Sequence, residues 1–215
     1  ILPEDKAKLI ADYKDELDLD YLKVEVEYLL KGMFEGASRT AEIVKSLRVF
    51  SRVDEDTWKF SDINEGIEST MVILNTLVKD KVTVIKEYGD IPLIECHAGK
   101  LNQVFLNIIT NAIYALDKKF QSTSEGVLKI ETGLIDDGSS VFIKITDNGI
   151  GIPDDIKHKI FEPFFTTKDV GEGTGLGMSI AYKTIENHNG KILIENNIGG
   201  GTIFNVILPI KQSPK

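Results

Sequence analysis

A single cysteine, Cys96, in 215 residues excludes an internal disulfide framework and any Cys-rich metal site, and fits a reducing compartment. Long apolar runs are missing too. The longest stretches, such as residues 104–109, fall far short of the roughly 20 residues that a membrane span needs. Positive charge is in deficit: 25 Lys and Arg stand against 34 Asp and Glu, a formal net charge of −9. That argues against a general nucleic-acid binder, whose phosphate contacts require clustered Lys and Arg. There is no internal repeat and no low-complexity tract. An initiator Met is absent as well, so the chain reads as a piece of a longer protein, and its own lack of a signal or membrane segment says little about the parent. What is present is ordinary for a globular chain, 42% hydrophobic and 27% charged, enough for one good core plus an appendage.

From residue 20 to 52 the apolar positions Leu22, Val26, Leu29, Met33, Ala37, Thr40, Val44, Leu47 and Val49/Phe50 recur at alternating steps of three and four. This spacing predicts a helix with one continuous apolar stripe. Such a stripe either pairs with another helix in a dimerising hairpin or packs on its own domain. Residues 3–19 read as another helical piece or a connector. The charged, aperiodic stretch 53–57 is the expected joint, which divides the chain into a helical segment, 1–56, and a larger domain, 57–215.

In that domain Ser61-Asp62 with Glu65 reads as a helix start with a capping box, followed by Ile67, Met71, Leu74 and Leu77/Val78 at helical spacing. Residues 82–88 alternate as a strand, and 93–96 are expected to pair with it. A helix over 98–119 follows. Two alternating runs, 127–135 and 141–146, flank the Asp136-Asp137-Gly138 turn as a hairpin. A helix over 175–188 and strands near 191–195 and 202–208 close the chain. Helices and strands segregate in this order, so the expected class is α+β: a two-layer sandwich with a mixed, largely antiparallel sheet and its helices on one face.

Chemistry concentrates in four places. Gln103, Asn107 and Asn111 are spaced by four, so three amides stack along one face of a helix anchored by Val104, Leu106, Ile108 and Ile109. An Asn carbonyl oxygen is a hard, neutral ligand suited to Mg²⁺, although amides so placed can also simply bond backbone. Next, Asp147-Asn148-Gly149-Ile150-Gly151-Ile152-Pro153 sets a carboxylate where a strand stops, with glycines that let the backbone turn away. That carboxylate can accept from an exocyclic amine such as adenine N6, while a D-x-G-x-G by itself is often only a turn. Third, residues 160–168, Ile-Phe-Glu-Pro-Phe-Phe-Thr-Thr-Lys, put Phe161, Phe164 and Phe165 around a proline in a polar connection, where aromatics must dock on something or form a small satellite core. Residues 171–178, Gly-Glu-Gly-Thr-Gly-Leu-Gly-Met, then lead straight into a helix, so loop N–H groups and a helix N-terminus face one point, which favours phosphate oxygens. The G-K-[ST] ending of a P-loop is absent. Gly199-Gly200-Gly201-Thr202 opens the last strand, where the Thr202 hydroxyl is placed to share a water with Asp147.

Taken in order, these segments resemble the N, G1, F and G2 boxes of the histidine kinase catalytic domain, within the wider ATPase group that includes gyrase, the heat-shock chaperone and the MutL repair protein. The similarity covers roughly 60–210. The Phe-Phe-Thr-Thr-Lys and Gly-Thr-Gly-Leu-Gly forms are nearer to histidine kinases than to the other branches. Residues 36–54, GASRTAEIVKSLRVFSRVD, further resemble the second helix of the dimerisation and phosphoacceptor hairpin of sensor kinases.

The resemblance implies a Bergerat-type ATP-binding fold, with ATP and Mg²⁺ as cofactors and a protein histidine kinase activity in a two-component system. Asn107 and Asn111 would reach the phosphates and metal, with Asn111 the metal ligand, and Gln103, Asn107 and Lys168 would be the catalytic positions. Asp147 would bind adenine. Gly149, Gly151, Ile152, Tyr114, Phe161 and Thr202 would shape its pocket. Gly173, Thr174, Gly175, Leu176 and Gly177 would line the phosphates as part of a lid spanning about 154–174. In gyrase-like ATPases a Glu one turn before the first Asn activates water. Gln103 stands there and cannot act as a base, which favours phosphoryl transfer to a protein group over hydrolysis.

The implied partner is a response-regulator receiver domain, and the parent is expected to form a homodimer through the helical hairpin. No nucleic acid is implied, this part is expected in the cytoplasm, and any inner-membrane attachment belongs to segments outside it. The kinase acceptor is a His in a His-Glu motif on the first hairpin helix, but no histidine precedes His97. His97, His158 and His188 read as cap, surface or packing residues. The acceptor is therefore expected upstream of Ile1, and the chain alone is expected to bind nucleotide without phosphorylating itself. Two competing readings are a nucleotide-gated conformational ATPase of the same superfamily, which Gln103 opposes, and a scaffold with a decayed site, which the intact Asn107, Asn111, Asp147 and Gly175 oppose.

Overall fold

The computed structural model describes residues 6, 8, 9, 13, 18–50, 57–79, 81–121, 123–135, 138–168 and 173–212. The chain divides into two units, Ile1–Val44 and Lys45–Lys215. Of the expected joint at 53–57 only Thr57 is described, and the connector expected over 3–19 lies mostly outside the described residues, as do Asp136, Asp137, Gly171 and Glu172.

The striped segment forms one helix, α1, Leu19–Phe50. Its stripe residues Leu22, Val26, Leu29 and Met33 are exposed, together with Tyr28 and Phe34. The side chains of the last stripe members, Val44, Leu47, Val49 and Phe50, lie outside what is described. Among the described residues no helix is long and apolar enough to cross a membrane.

In the second unit the chain runs β1 (Lys59–Ser61), α2 (Ile63–Val78), β2 (Val82–Tyr88), β3 (Ile94–Cys96), α3 (Ala98–Phe120), β4 (Gly126–Leu134), β5 (Ser140–Asp147), α4 (Gly177–Asn187), β6 (Lys191–Asn196) and β7 (Thr202–Pro209). Helix α2 starts where the capping signal placed it: the Asp62 carboxylate accepts from the Glu65 N–H at 3.1 Å, filling one of the orphan donors of a helix start. The hairpin expected around residues 136–138 is formed by β4 and β5, with Leu134 opposite Val141. The five-stranded sheet has the order β2-β4-β5-β7-β6. Only β2 with β4 is parallel among its pairs, and the others are antiparallel. This is the mixed, largely antiparallel sheet that the sequence pattern indicates.

One strand pairing differs from expectation. Residues 93–96 do not pair with β2. The strand there, β3, pairs antiparallel with β1, with Phe60 opposite Glu95. The edge of β2 is taken by β4 instead. A parallel pair needs a long crossover, and β3 with α3 supplies it between them. The helix expected from residue 175 begins two residues later, at Gly177.

Strand burial alternates strictly on β4, β5 and β7. Leu128, Ile130, Val141, Ile143, Ile145, Phe204, Val206 and Leu208 point to one face and meet Ile67, Met71 and Leu74 of α2, Leu101, Phe105, Ile108 and Ile109 of α3, and Ala181 and Ile185 of α4. Helix α3 is the middle helix and carries the largest share of this core. Cys96 belongs to it: fully buried, with burial pushing its thiol up to about 11, it packs as a small apolar residue rather than a reactive one.

Two substitutions test this architecture by urea denaturation. Phe105→Ala, which empties a fully enclosed aromatic site beneath α3, is expected to cost about 3–5 kcal/mol. Asp62→Ala removes only a cap and is expected to cost about 1 kcal/mol. Equal losses would mean that α3 is not the keel of the core.

Candidate functional site

With Ile108, Ile109 and Ala112 buried against the sheet, the opposite side of α3 is left half-exposed and carries Gln103, Asn107, Asn111 and Tyr114. Three separate parts of the chain touch this stretch. The first residue of α4 is one: the Asn107 amide donates to the Gly177 carbonyl at 2.9 Å. Helix α4 has no side-chain cap at its start, so its first N–H groups and its positive dipole end open beside Asn107. Lys168 is the second. Its ammonium donates to Asn111 Oδ1 at 3.0 Å and lies 4.4 Å from the centre of the Tyr114 ring, with Lys118 5.3 Å from the same ring.

The third is the turn after β5. Ile150 N–H donates to the Ala115 carbonyl at 3.3 Å, and a Cβ added at Gly149 would lie 2.7 Å from the Ala115 carbonyl carbon. Only glycine lets the turn approach the helix this closely. Asp147, at the end of β5, is 2% exposed. Its carboxylate accepts from the Gly149 N–H at 2.8 Å and from the Thr202 backbone N–H, and Lys119 lies close enough to favour its charge. Burial is nonetheless the larger effect and holds its carboxyl above the ordinary carboxylate range.

Thr202 is as deeply buried as Asp147 and donates its backbone N–H to it. Gly151 faces Gly201 across the same turn, and Ile152 packs against the core. In the segment after it, Phe161 packs partly on the core and 5.0 Å from the Tyr182 ring, so a satellite core exists there. Phe164 is 75% exposed at a φ of +69°. Its N–H bonds the Gly175 carbonyl at 2.9 Å, and Gly175 has a φ of +66° with Phe164 backbone against its open side, a place no Cβ could occupy. Gly173 lies beside Thr166 and Lys168. Thr174 is exposed and accepts weakly from the Leu176 N–H at 3.4 Å.

Sequence reading missed several supports of this site. Lys119 donates to the Asn148 carbonyl at 2.6 Å. Asn148 Oδ1 accepts from the Val127 N–H at 2.7 Å. The Asn197 amide donates to the Asp147 carbonyl at 2.9 Å. The Asn197 contact has a faint signal in the Asn-Ile-Gly-Gly-Gly turn. The other two rest on contacts between residues more than 20 apart.

Two of the three histidines come together away from this face. Trp58, His97 and His188 form a ring cluster with centroids 4.2 to 5.5 Å apart. His188 is fully buried. Its Nε2 accepts the His97 backbone N–H at 3.0 Å, so the proton sits on Nδ1, which donates to the Thr184 carbonyl at 2.7 Å. Burial, with the charges of His97 and Lys100 behind it, lowers its pKa. Both ring nitrogens are thus engaged in structure. His158 is exposed, ahead of the short 3₁₀ turn Lys159–Phe161.

A middle helix offering stacked amides, a buried carboxylate at a glycine turn, and a helix N-terminus with a lysine beside them define an ATP-binding domain of the α+β sandwich type. Comparison with known proteins agrees. Residues 96–212 match the family of histidine kinase-, DNA gyrase B-, and HSP90-like ATPases, and the chain belongs to it. It is 32% identical over 183 residues to the sensor kinase CckA of Brucella abortus (strain 2308), covering 81% of this chain and 19% of the relative. With the signal transduction histidine-protein kinase AtoS of Escherichia coli (strain K12) it shares 35% identity, covering 79% of this chain and 27% of the relative. The chain thus spans about a fifth to a quarter of the length of these curated relatives. The nucleotide-free catalytic domain of histidine kinase ThkA superposes with a TM-score of 0.61 at 32% identity, covering 72% of this chain and 96% of that one. ThkA has also been solved in complex with the response regulator protein TrrA, and that kinase matches at 28% identity with a TM-score of 0.58, over 82% of this chain and 48% of its own.

The neutral, enclosed His188 makes a stability prediction. The unfolded chain takes up this proton near pH 6.5, while the folded chain resists until a lower pH. His188 therefore contributes stability that is fully present above about pH 6.5 and is lost as the pH falls towards its depressed folded value. Unfolding free energies measured between pH 7.5 and 5.5 are expected to fall more steeply for the native chain than for His188→Gln, by up to about 1.4 kcal/mol per pH unit. Parallel slopes would contradict the buried neutral tautomer.

Proposed function

We propose that this chain is the ATP-binding catalytic region of a sensor histidine kinase, which binds Mg²⁺-ATP over α3 and transfers its γ-phosphoryl to a histidine that none of the three here supplies, for relay to a response-regulator aspartate. Residues 57–215 are the catalytic domain in this reading, and 1–56 part of the dimerisation and phosphotransfer hairpin, through which the parent forms a homodimer. The observation that carries it is the convergence on the stretch 107–115 of α3: the α4 N-terminus at Asn107, Lys168 at Asn111 and the Asp147 turn at Ala115. The family, and relatives named as sensor kinases, support the same reading. The ThkA–TrrA complex supports a response-regulator receiver domain as partner.

Each residue has work that its position allows. Asp147, already positioned by two backbone N–H groups, accepts from the exocyclic amine of adenine. Tyr114, Gly149, Gly151, Ile152, Phe161 and Thr202 shape the surroundings of that ring. Asn107, with Gly173, Thr174, Gly175, Leu176 and Gly177, lines the phosphates with amide and backbone donors. Lys168 neutralises phosphate charge, and the segment 154–174 covers the site and excludes water. ATP supplies the phosphoryl group, while the protein supplies placement and charge.

The residues present also fit a magnesium ion. Asn111 Oδ1 already faces a cation, the Lys168 ammonium, so its lone pair is directed at the place where positive charge would stand. Mg²⁺ commonly takes one or two protein oxygens and completes its shell with phosphates and water. Among the described residues no cluster of three His, Cys, Asp or Glu offers another metal site. Gln103 lies one turn before Asn107 and has no basic atom to activate water. Both ring nitrogens of His188 are taken up in hydrogen bonds and His97 is packed in the same ring cluster, which supports a different histidine as the acceptor.

Calorimetry tests the adenine end. ADP is expected to bind at least about tenfold more tightly than IDP, since inosine presents a carbonyl where adenine has the amine, and Asp147→Asn should narrow that gap because its amide can donate. Equal affinities in the native chain would remove Asp147 from the role. At the catalytic end, Gln103→Glu should raise steady ATP hydrolysis by about 100-fold or more over the native chain. In the parent, acid-labile and base-stable labelling from γ-labelled ATP should vanish with Asn111→Ala. A stable phosphoserine, or fast hydrolysis by the native chain, would instead favour the conformational-ATPase reading.

A further inference from the structure

A cavity of about 260 Å³ opens on the other flank of α3, between α2, the start of β2 and the second half of α3. It adjoins the nucleotide face, sharing Tyr114 and Lys168 with it, and extends from there to the other side of the helix. At 100° per residue, Ala115 and Lys119, which touch the Asp147 turn, lie roughly 160° around the helix from Thr110, Ile113, Asp117 and Phe120, which line the cavity. Neither Asp147, Gly149 nor Thr202 reaches it. Its walls are mainly apolar, with Leu77, Val82, Ile113, Leu116 and Phe120 contributing. A dry cavity of about 150 Å³ already accommodates benzene, so one ring with a short tail fits here.

Its charge is against the trend of the molecule. In a chain of net charge −9, the charged residues lining this cavity among the described residues are Lys81, Lys168 and Asp117. Lys118 stands over the same Tyr114 ring as Lys168. The geometry points to a binding site for a small amphipathic carboxylate, whose apolar body fills the space between α2 and α3 and whose carboxylate meets Lys168. Small-molecule sites are commonly built in this way, apolar walls with a few polar groups that fix orientation.

Lys168 also makes the site regulatory. Its ammonium holds Asn111 at 3.0 Å, so a carboxylate in the cavity and the phosphates on α3 compete for one cation. Occupancy of the cavity then weakens nucleotide binding, and nucleotide weakens the carboxylate by the same factor. This coupling rests on the nucleotide reading above, whereas binding in the cavity does not.

The probes are 3-phenylpropionate and its uncharged amide, titrated at constant ionic strength into the ¹⁵N-labelled chain and followed by amide NMR. Saturable shifts are expected at Ile113, Tyr114, Asp117 and Phe120, with a Kd of about 1 mM for so small a ligand and at least fivefold weaker binding of the amide. Thr123→Trp places a ring at an exposed position of the cavity wall and should abolish the shifts while the rest of the spectrum stays unchanged. Lys168→Met should bring acid and amide to equal affinity. Shifts centred on Asp147 and Thr202, no saturation, or an amide as tight as the acid in the native chain would each overturn the site. For the coupling, saturating 3-phenylpropionate should raise the Kd of ADP about fivefold in the native chain and not in Thr123→Trp, and an unchanged Kd overturns it. ADP that fails to bind at all, with cavity shifts intact, would sink the nucleotide reading and leave the carboxylate site standing.

Discussion

The seating of α3 on the sheet is the constraint on which the rest of the molecule depends. Leu101, Phe105, Ile108, Ile109 and Leu116 are fully or almost fully buried, and at roughly 1.5–3 kcal/mol per enclosed side chain they fix which way the helix is turned about its axis. Rotation by one residue would carry Asn107 and Asn111 towards the core, where an amide without partners is costly. The polar face is therefore placed by the apolar one. Everything that meets at residues 107–115 relies on that placement, including the Gly149 approach, which tolerates no side chain between the turn and Ala115.

That face is polarised along its length. At the Ala115 end stands a buried carboxylate, and at the Asn107–Asn111 end stand an ammonium and an uncapped helix N-terminus. A carboxylate as enclosed as Asp147 survives because Gly149 and Thr202 donate to it and Lys119 lies nearby, but these do not cancel the cost of burial. A hydrogen-bond donor arriving from a ligand would find an acceptor already oriented, with little reorganisation left to perform. At the other end Lys168 donates to the neutral Asn111 oxygen and lies against the Tyr114 ring. Both are weaker partners for an ammonium than an anion would be.

Much of this was legible in the sequence, because the decisive signals are local. Steps of four place Gln103, Asn107 and Asn111 on one face whatever the helix packs against, and strict alternation at 127–135 and 141–146 predicts the β4–β5 hairpin. Asp147 could be placed at a strand end because Gly149 and Gly151 follow within four residues. Three-residue β1 carries no alternation to detect. Without it β3 had no visible partner except β2, and the parallel pairing of β2 with β4 depends on a crossover that no local window contains. The histidines illustrate the same limit. His97 and His188 read as bland residues one at a time, and only the fold brings them into one ring cluster across 91 positions of sequence.

Lys168 shows why the unread part matters for function. In sequence it is the last residue of a Phe-Phe-Thr-Thr-Lys run, 57 positions from Asn111, and nothing local indicates what its ammonium will meet. In the fold it reaches Asn111, crosses the Tyr114 ring and borders the cavity between α2 and α3. One long, flexible side chain thus stands at the boundary of two spaces. Its charge cannot be committed fully to both, since an ammonium drawn towards an anion on one side lengthens its contact on the other, and at such short range a displacement of about 3 Å roughly halves the Coulomb attraction. A rigid residue at this position would serve either space alone. Lysine, with its four-carbon stem and compact charge, is the residue type that lets the occupancy of one be felt in the other.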